Sequence, residues 1–186
     1  MTKEKKSIYQ HAGEWGVPLG LYMAGAAAAS IYADVLPFLS ILFFFMVLAI
    51  PFLVYRYQRY KFIEDDGFTD YAALWMMGIL LYIFGTTLAS FFVYLILQYA
   101  RPDFMYVQGQ TVIETYSKIP EMRDSEALHV IKRMVDERLM PSPIEMVFNA
   151  FWFITSMGSL LSAITAWIAR RQIKRRPLPP PPPPEQ

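Results

Sequence analysis

His11, Glu14, the acidic run from Glu64 to Asp66 and His129 are the side chains here that acid–base or metal chemistry would recruit first. In "HAGE", His11 and Glu14 stand three apart, which is half of a metal or proton-transfer pair. A metal site or a catalytic pair needs further ligands in reach, and none is near in sequence. An ordinary pair of interfacial residues is the plainer reading. "EDDG", Glu64 to Gly67, has the composition of a cation loop but lacks the alternating ligands and the final Glu of a calcium loop. It reads as a solvated turn with Asp66 or Thr69 capping the helix that follows. The chain has no cysteine, which removes disulfides, thiolate metal sites and a cysteine nucleophile. It has no Gly-rich phosphate loop and no serine–histidine–acid set. These residues predict no catalytic, cofactor-binding or metal-ligating group, and no enzyme.

The elements that carry these residues are set by composition. The 186 residues are 55% hydrophobic, 16% aromatic and 18% charged, with mean hydropathy +0.28; soluble domains average about 25% charged. A net charge of +1 gives no bulk attraction to nucleic acid. Four runs approach the roughly 20 apolar residues that cross a bilayer as a helix. They are residues 15–33, 36–55, 71–100 and 144–169, none with a charge in its middle. The fold expected is all-α, an integral membrane bundle of four transmembrane helices with an extracytoplasmic helical loop, residues 101–143, between spans three and four. Residues 1–14 and 170–186 form the tails. A rival reading of the first run is a signal peptide, with Lys3, Lys5 and Lys6 before it and "AAAASIYA" as a small-residue cleavage site.

Orientation follows from Lys and Arg. Eleven of the 17 lie in the N-terminal tail, the second connection (Arg56, Arg59, Lys61) and the C-terminal tail (Arg170, Arg171, Lys174, Arg175, Arg176). The other six lie in the long third loop and the first loop has none, so both tails are expected in the cytoplasm. His11 and His129 then fall on opposite sides, which excludes a shared metal site within one subunit.

Charge is absent deep in every span, which argues against a pump or a proton-coupled transporter. The polar residues there, among them Thr86, Thr87, Asn149, Thr155 and Thr165, are read as bonding neighbouring helices or their own backbone. Small residues recur every fourth position at Gly16, Gly20, Ala24 and Ala28, at Gly85 and Ala89, and at Gly158, Ser162 and Ala166. Such faces let helix backbones approach closely. They serve packing within one bundle, or a homodimer through span one or four.

In the third loop, Leu128, Ile131, Val135 and Leu139 fall at helical spacing, with His129, Lys132, Arg133, Asp136 and Glu137 on the other face. Lys132–Asp136 and Arg133–Glu137 are four-apart pairs. Asp124 or Ser125 caps the start and Pro141 enforces the stop. A weaker stripe runs upstream through Val112 or Ile113, Tyr116 and Ile119. Two short amphipathic helices result, and such helices need a surface. They fold onto the mouth of the bundle or the headgroup layer, offer a recognition face to a partner, or close over a site. The last residues, "RRQIKRRPLPPPPPPEQ", pair a basic cluster suited to anionic lipid with an extended polyproline tail. That tail is a ligand for an aromatic-lined groove or simply a solvated segment.

The order of these parts, with "GFTDYAALWMMGI" leading into span three, "YARPDFM" leaving it and "MPSPIEMVFNAFWFITSMGSLLSAITAWIARR" at the end, resembles a bacterial inner-membrane family, domain-of-unknown-function family 4199. The likeness covers Trp15 to Arg171. It implies a small integral membrane protein without assigned activity and supplies no site residues; its members' occurrence near membrane glycosyltransferases hints at envelope glycan or lipid work. The function expected is a non-enzymatic accessory or scaffold for an envelope protein complex, with membrane lipids, a second copy or an envelope protein as partners. The alternative is lipid-linked substrate handling beside a glycosyltransferase.

Overall fold

The computed structural model describes residues 7–119, 125–137 and 139–171. Helix α1 (Ile8–Ile31) opens with a capping box: the Ser7 hydroxyl accepts from Gln10 N at 3.3 Å, and Gln10 Oε1 accepts from Ser7 N at 2.9 Å. α2 (Phe38–Glu64) and α3 (Tyr71–Leu95) follow, and α3 widens into one π turn over Ile96–Ala100. α4 (Phe104–Ser117) and α5 (Glu126–Asp136) are short. α6 (Pro143–Arg171) opens on a second box, with Ser142 N donating to Glu145 Oε2 at 2.9 Å and Glu145 N to Ser142 Oγ at 3.4 Å. The described residues contain no strand.

Close approaches fix how the helices run. Gly16 lies against Phe84 and Gly20 against Leu88, so α1 and α3 are parallel. Gly78 faces Ser162 and Gly158 faces Tyr82, so α6 is antiparallel to α3. His11 meets Glu64, and the Tyr22 hydroxyl donates to Met46 O at 3.1 Å, so α2 is antiparallel to α1. Each long helix has two main neighbours, in the ring α1–α3–α6–α2, which leaves α2 and α3 meeting across a diagonal. The starts of α1 and α3 and the ends of α2 and α6 therefore gather at one end, here the His11 end. The first connection and the π turn gather at the other, the Asp34 end.

Among the described residues, three helices are long and apolar enough to cross a membrane: α2, α3 with its π turn, and α6, with mean hydropathies of 2.6, 2.1 and 1.5 over their most apolar stretches. The first expected span does not meet that measure. Its helix is 24 residues long, about 36 Å at the α-helical rise. It is filled with Gly and Ala because it presses against α3, where Ala12, Leu19, Ala26 and Ala29 are buried. The outer surface of the others is the reverse. Phe38, Ile41, Phe44, Phe45, Leu48 and Phe52 of α2 and Phe148, Trp152, Phe153 and Leu160 of α6 are all exposed. So continuous an apolar surface is tolerated only against hydrocarbon or another protein.

The ends differ from the sequence reading. α1 begins seven residues before Trp15 because the Ser7–Gln10 box nucleates it there. α2 runs nine residues past Tyr55, so Arg56, Arg59 and Lys61 sit on a helix instead of a loop; Gln58, Lys61 and Phe62 turn inward and keep that extension folded. The turn after it has Asp66 at φ 53° and Gly67 at φ 82°, a left-handed pair that suits Asp and Gly. Neither Asp66 nor Thr69 caps α3. The N-cap position belongs to Asp70, whose side chain makes no cap bond, while Thr69 donates its hydroxyl to Asp65 at 2.6 Å.

Candidate functional site

At the His11 end, aromatic rings and a buried imidazole form one stack. The His11 ring lies 4.6 Å from Trp15 at 27°, Trp15 lies 5.2 Å from Tyr57 at 14°, and Tyr60 meets Trp15 edge-on at 5.3 Å. His11 is 3% exposed. Its Nε2 approaches Glu64 Oε2 at 2.9 Å, an ion-pair distance without hydrogen-bond alignment. The carboxylate facing His11 thus comes from α2, 53 positions away, where no local spacing could have shown it. Among the described residues no group of three His, Asp or Glu gathers as a metal would require.

One turn deeper, three helices are tied by one amide. Gln58 is fully buried, and its Nε2 donates to Leu74 O at 3.1 Å, to Ser162 Oγ at 3.1 Å and to Ser162 O at 3.3 Å. The Ser162 hydroxyl in turn donates to Trp75 O at 3.0 Å. All three groups facing Nε2 are acceptors in these contacts, which fixes which way the amide points. Gly78 makes the approach possible: a Cβ there would run into Ser162 Oγ and lie 2.5 Å from Gln58 Nε2. Gln58 and Gly78 are absent from the small-residue pattern; a glutamine at the foot of an apolar span followed by a glycine on the next was the available signal.

Of the small residues singled out in the sequence, Gly16, Gly20, Ala24, Gly85, Ala89, Gly158, Ser162 and Ala166 are buried, and Ala28 is half-buried. Those with close neighbours face other helices of the same chain. Of the hydroxyls, Thr87 bonds its own backbone at Ile83 O, 2.7 Å, and Thr165 bonds Ser162 O at 3.1 Å. The hydroxyl oxygens of Thr86, Thr155 and Tyr82 are buried and make no bond among the described residues. Arg170 and Arg171 are exposed at the end of α6; Lys174, Arg175, Arg176 and the proline tail lie outside the described residues.

At the Asp34 end, Arg101 grips Asp34 with both guanidinium nitrogens, at 3.2 and 2.5 Å, and lies over the Tyr32 ring at 5.4 Å. The hydrogen bond from Arg101 holds the Asp34 carboxyl below its ordinary value of 3.8. A carboxyl depressed on folding stabilises the native state above the ordinary value, and the benefit is lost as the pH falls through the lower folded one. Acidification from pH 6 to pH 3, measured in the wild type and in Asp34→Asn, is therefore expected to lower the hydrogen-exchange protection factors of residues 32–36, each rate taken relative to the unstructured amide at the same pH, in the wild type only.

Beyond this clasp, α4 is pinned by Phe104, buried with Ile31, Leu97 and Val147. α5 packs on α4 as a hairpin. Gly109 admits it, since a Cβ there would run into Met140 Cε and lie 2.8 Å from Val135 Cγ2. Ser125 caps α5, accepting from Leu128 N at 3.3 Å; Asp124 is outside the described residues. Leu128 and Val135 are buried, but the helix stops at Asp136, so Leu139 lies beyond it and is exposed, as are Tyr116 and Ile119. His129, Arg133, Asp136 and Glu137 are exposed and Lys132 is half-buried. The four-apart pairs Lys132–Asp136 and Arg133–Glu137 are not closed. The comparable Glu114–Lys118 pair on α4 is closed, at 2.8 Å.

The chain matches the family described as "Protein of unknown function (DUF4199)" over residues 14–171. No curated protein and no solved structure matches it.

Proposed function

We propose that this chain, which belongs to the DUF4199 family of proteins of unknown function, is a four-span protein of the bacterial inner membrane that serves as a non-enzymatic scaffold in an envelope protein complex. In this reading α1 is the fourth span, being long enough and parallel to α3. The His11 end faces the cytoplasm, because Arg56, Arg59, Lys61, Arg170 and Arg171 collect there. The hairpin of α4 and α5 stands on the outer side.

One observation supports the scaffold role most directly. α5 uses its apolar side on α4 and turns His129, Arg133, Asp136 and Glu137 outward with no ion pair closed between them. A face of mixed charges with no ion pair closed among the described residues suits selective docking, since opposite charges set register and partner choice. Purification in mild detergent is expected to return one envelope protein in fixed ratio, captured by a photo-crosslinker placed at position 129 or 133. Gly109→Leu, which forces α5 off α4, should remove that crosslink and leave unfolding of the long helices unchanged. A chain that returns alone as a monomer, at every detergent strength, overturns the role.

A further inference from the structure

Tyr71, Trp167, Arg170 and Arg171 line an open cleft of about 380 Å³ at the His11 end, between the start of α3 and the end of α6. Its walls are held in place. The Arg171 guanidinium lies 3.5 Å from the centre of the Trp167 ring, a stack that fixes the plane of its donors. The Tyr71 hydroxyl donates to Ala163 O at 3.2 Å, and its ring stacks on Trp75 at 6.3 Å, whose Nε1 donates to Ser159 O at 3.1 Å.

The cleft is electropositive. Among the described residues no carboxylate pairs with Arg170 or Arg171, and the first amides of α3 open here without a side-chain cap. The carboxylates of the turn before α3, Asp65, Asp66 and Asp70, oppose this field, but the charged groups that line the cleft itself are both guanidiniums. Below the cleft, Leu160, Ile164, Trp167 and Arg171 follow one helical face of α6, and the three apolar members are exposed. The basic grip therefore stands at the head of an apolar stripe. A soluble anion would use only the first; an amphiphile uses both.

We infer that this cleft binds the phosphate of an anionic phospholipid, with an acyl chain laid along Leu160 and Ile164. The site lies at the opposite end of the bundle from the hairpin, so the scaffold reading and this one fail separately. The test is native mass spectrometry of the full chain in mild detergent, loaded with phosphatidylglycerol, phosphatidylcholine or glycerol phosphate. One phosphatidylglycerol should be retained roughly tenfold or more above phosphatidylcholine. The preference should collapse in Arg170→Gln/Arg171→Gln and in Trp167→Leu. It should collapse equally in Arg170→Lys/Arg171→Lys, which keeps the charge and loses the planar fork. Equal retention of the two lipids, or full retention by the lysine variant, reduces the cleft to diffuse surface attraction and overturns the inference. Displacement of the lipid by glycerol phosphate at similar concentration assigns the site to a free phosphate and overturns the lipid.

Discussion

Gly78→Ala is expected to lower the stability of the bundle by about 2–3 kcal/mol, the cost of forcing atoms into a filled core. The added methyl has nowhere to go. It would run into Ser162 Oγ, 2.8 Å from Ser162 Cβ and 2.5 Å from Gln58 Nε2, so α3 and α6 must part or the amide must leave its three acceptors. Two controls separate this from any general effect of replacing glycine in a helix. A Cβ at Gly13 meets nothing within 4 Å, so Gly13→Ala should raise stability, by about 0.5–1 kcal/mol, through helix propensity alone. Ser162→Gly removes two of the three colliding atoms, leaving the end of the Gln58 side chain, so the double variant Gly78→Ala/Ser162→Gly should recover at least half of the loss. Unfolding by SDS titration in mixed micelles, run as a double-mutant cycle, reads the coupling between the two positions. Independent, additive losses would mean that α3 and α6 do not touch here.

Much of this was legible from the chain. A run such as Leu36 to Tyr55 can be little other than a helix in hydrocarbon, and Ser125 before Glu126 marks a helix start by chemistry that works within one turn. α1 was harder, because hydropathy measures what a side chain offers to lipid, whereas Gly16, Gly20 and Ala24 serve a neighbouring helix. Their four-residue spacing revealed a face but not its partner. The sites themselves were least legible. His11 finds Glu64, Gln58 finds Ser162, and Tyr71 finds Ala163 O beside the cleft only after the four long helices assemble, so each pairing joins positions 53 to 104 residues apart. The basic residues of the second connection were read as a loop because charge usually ends a span. Here Lys61 is buried and paired with Asp65 at 3.2 Å, which lets the helix continue past the apolar run.

Gln58 offers the sharper test of what ties the helices together, since two substitutions of similar size should differ widely. Gln58→Leu removes one donor and one orphaned acceptor, for Oε1 is buried without a partner. Interhelical hydrogen bonds in membranes average about 0.6 kcal/mol. The leucine variant should therefore cost only about 1–2 kcal/mol, because Ser162 keeps its bond to Trp75 O. Gln58→Glu keeps the volume and replaces the donor with a charge. Of the groups awaiting it, Leu74 O and Ser162 O can only accept, and the Ser162 hydroxyl would have to leave Trp75 O to donate. A buried carboxylate facing carbonyls should cost about 3–5 kcal/mol at pH 7. Lys61, one turn on along the same helix, is engaged with Asp65, which also takes the Thr69 hydroxyl, so relief from it would unpick the turn between α2 and α3. Guanidinium or SDS unfolding of the two variants side by side decides the matter. Should the glutamate variant prove as stable as the leucine one, the amide is not donating into α3 and α6, and the assembly of the His11 end must rest on packing alone.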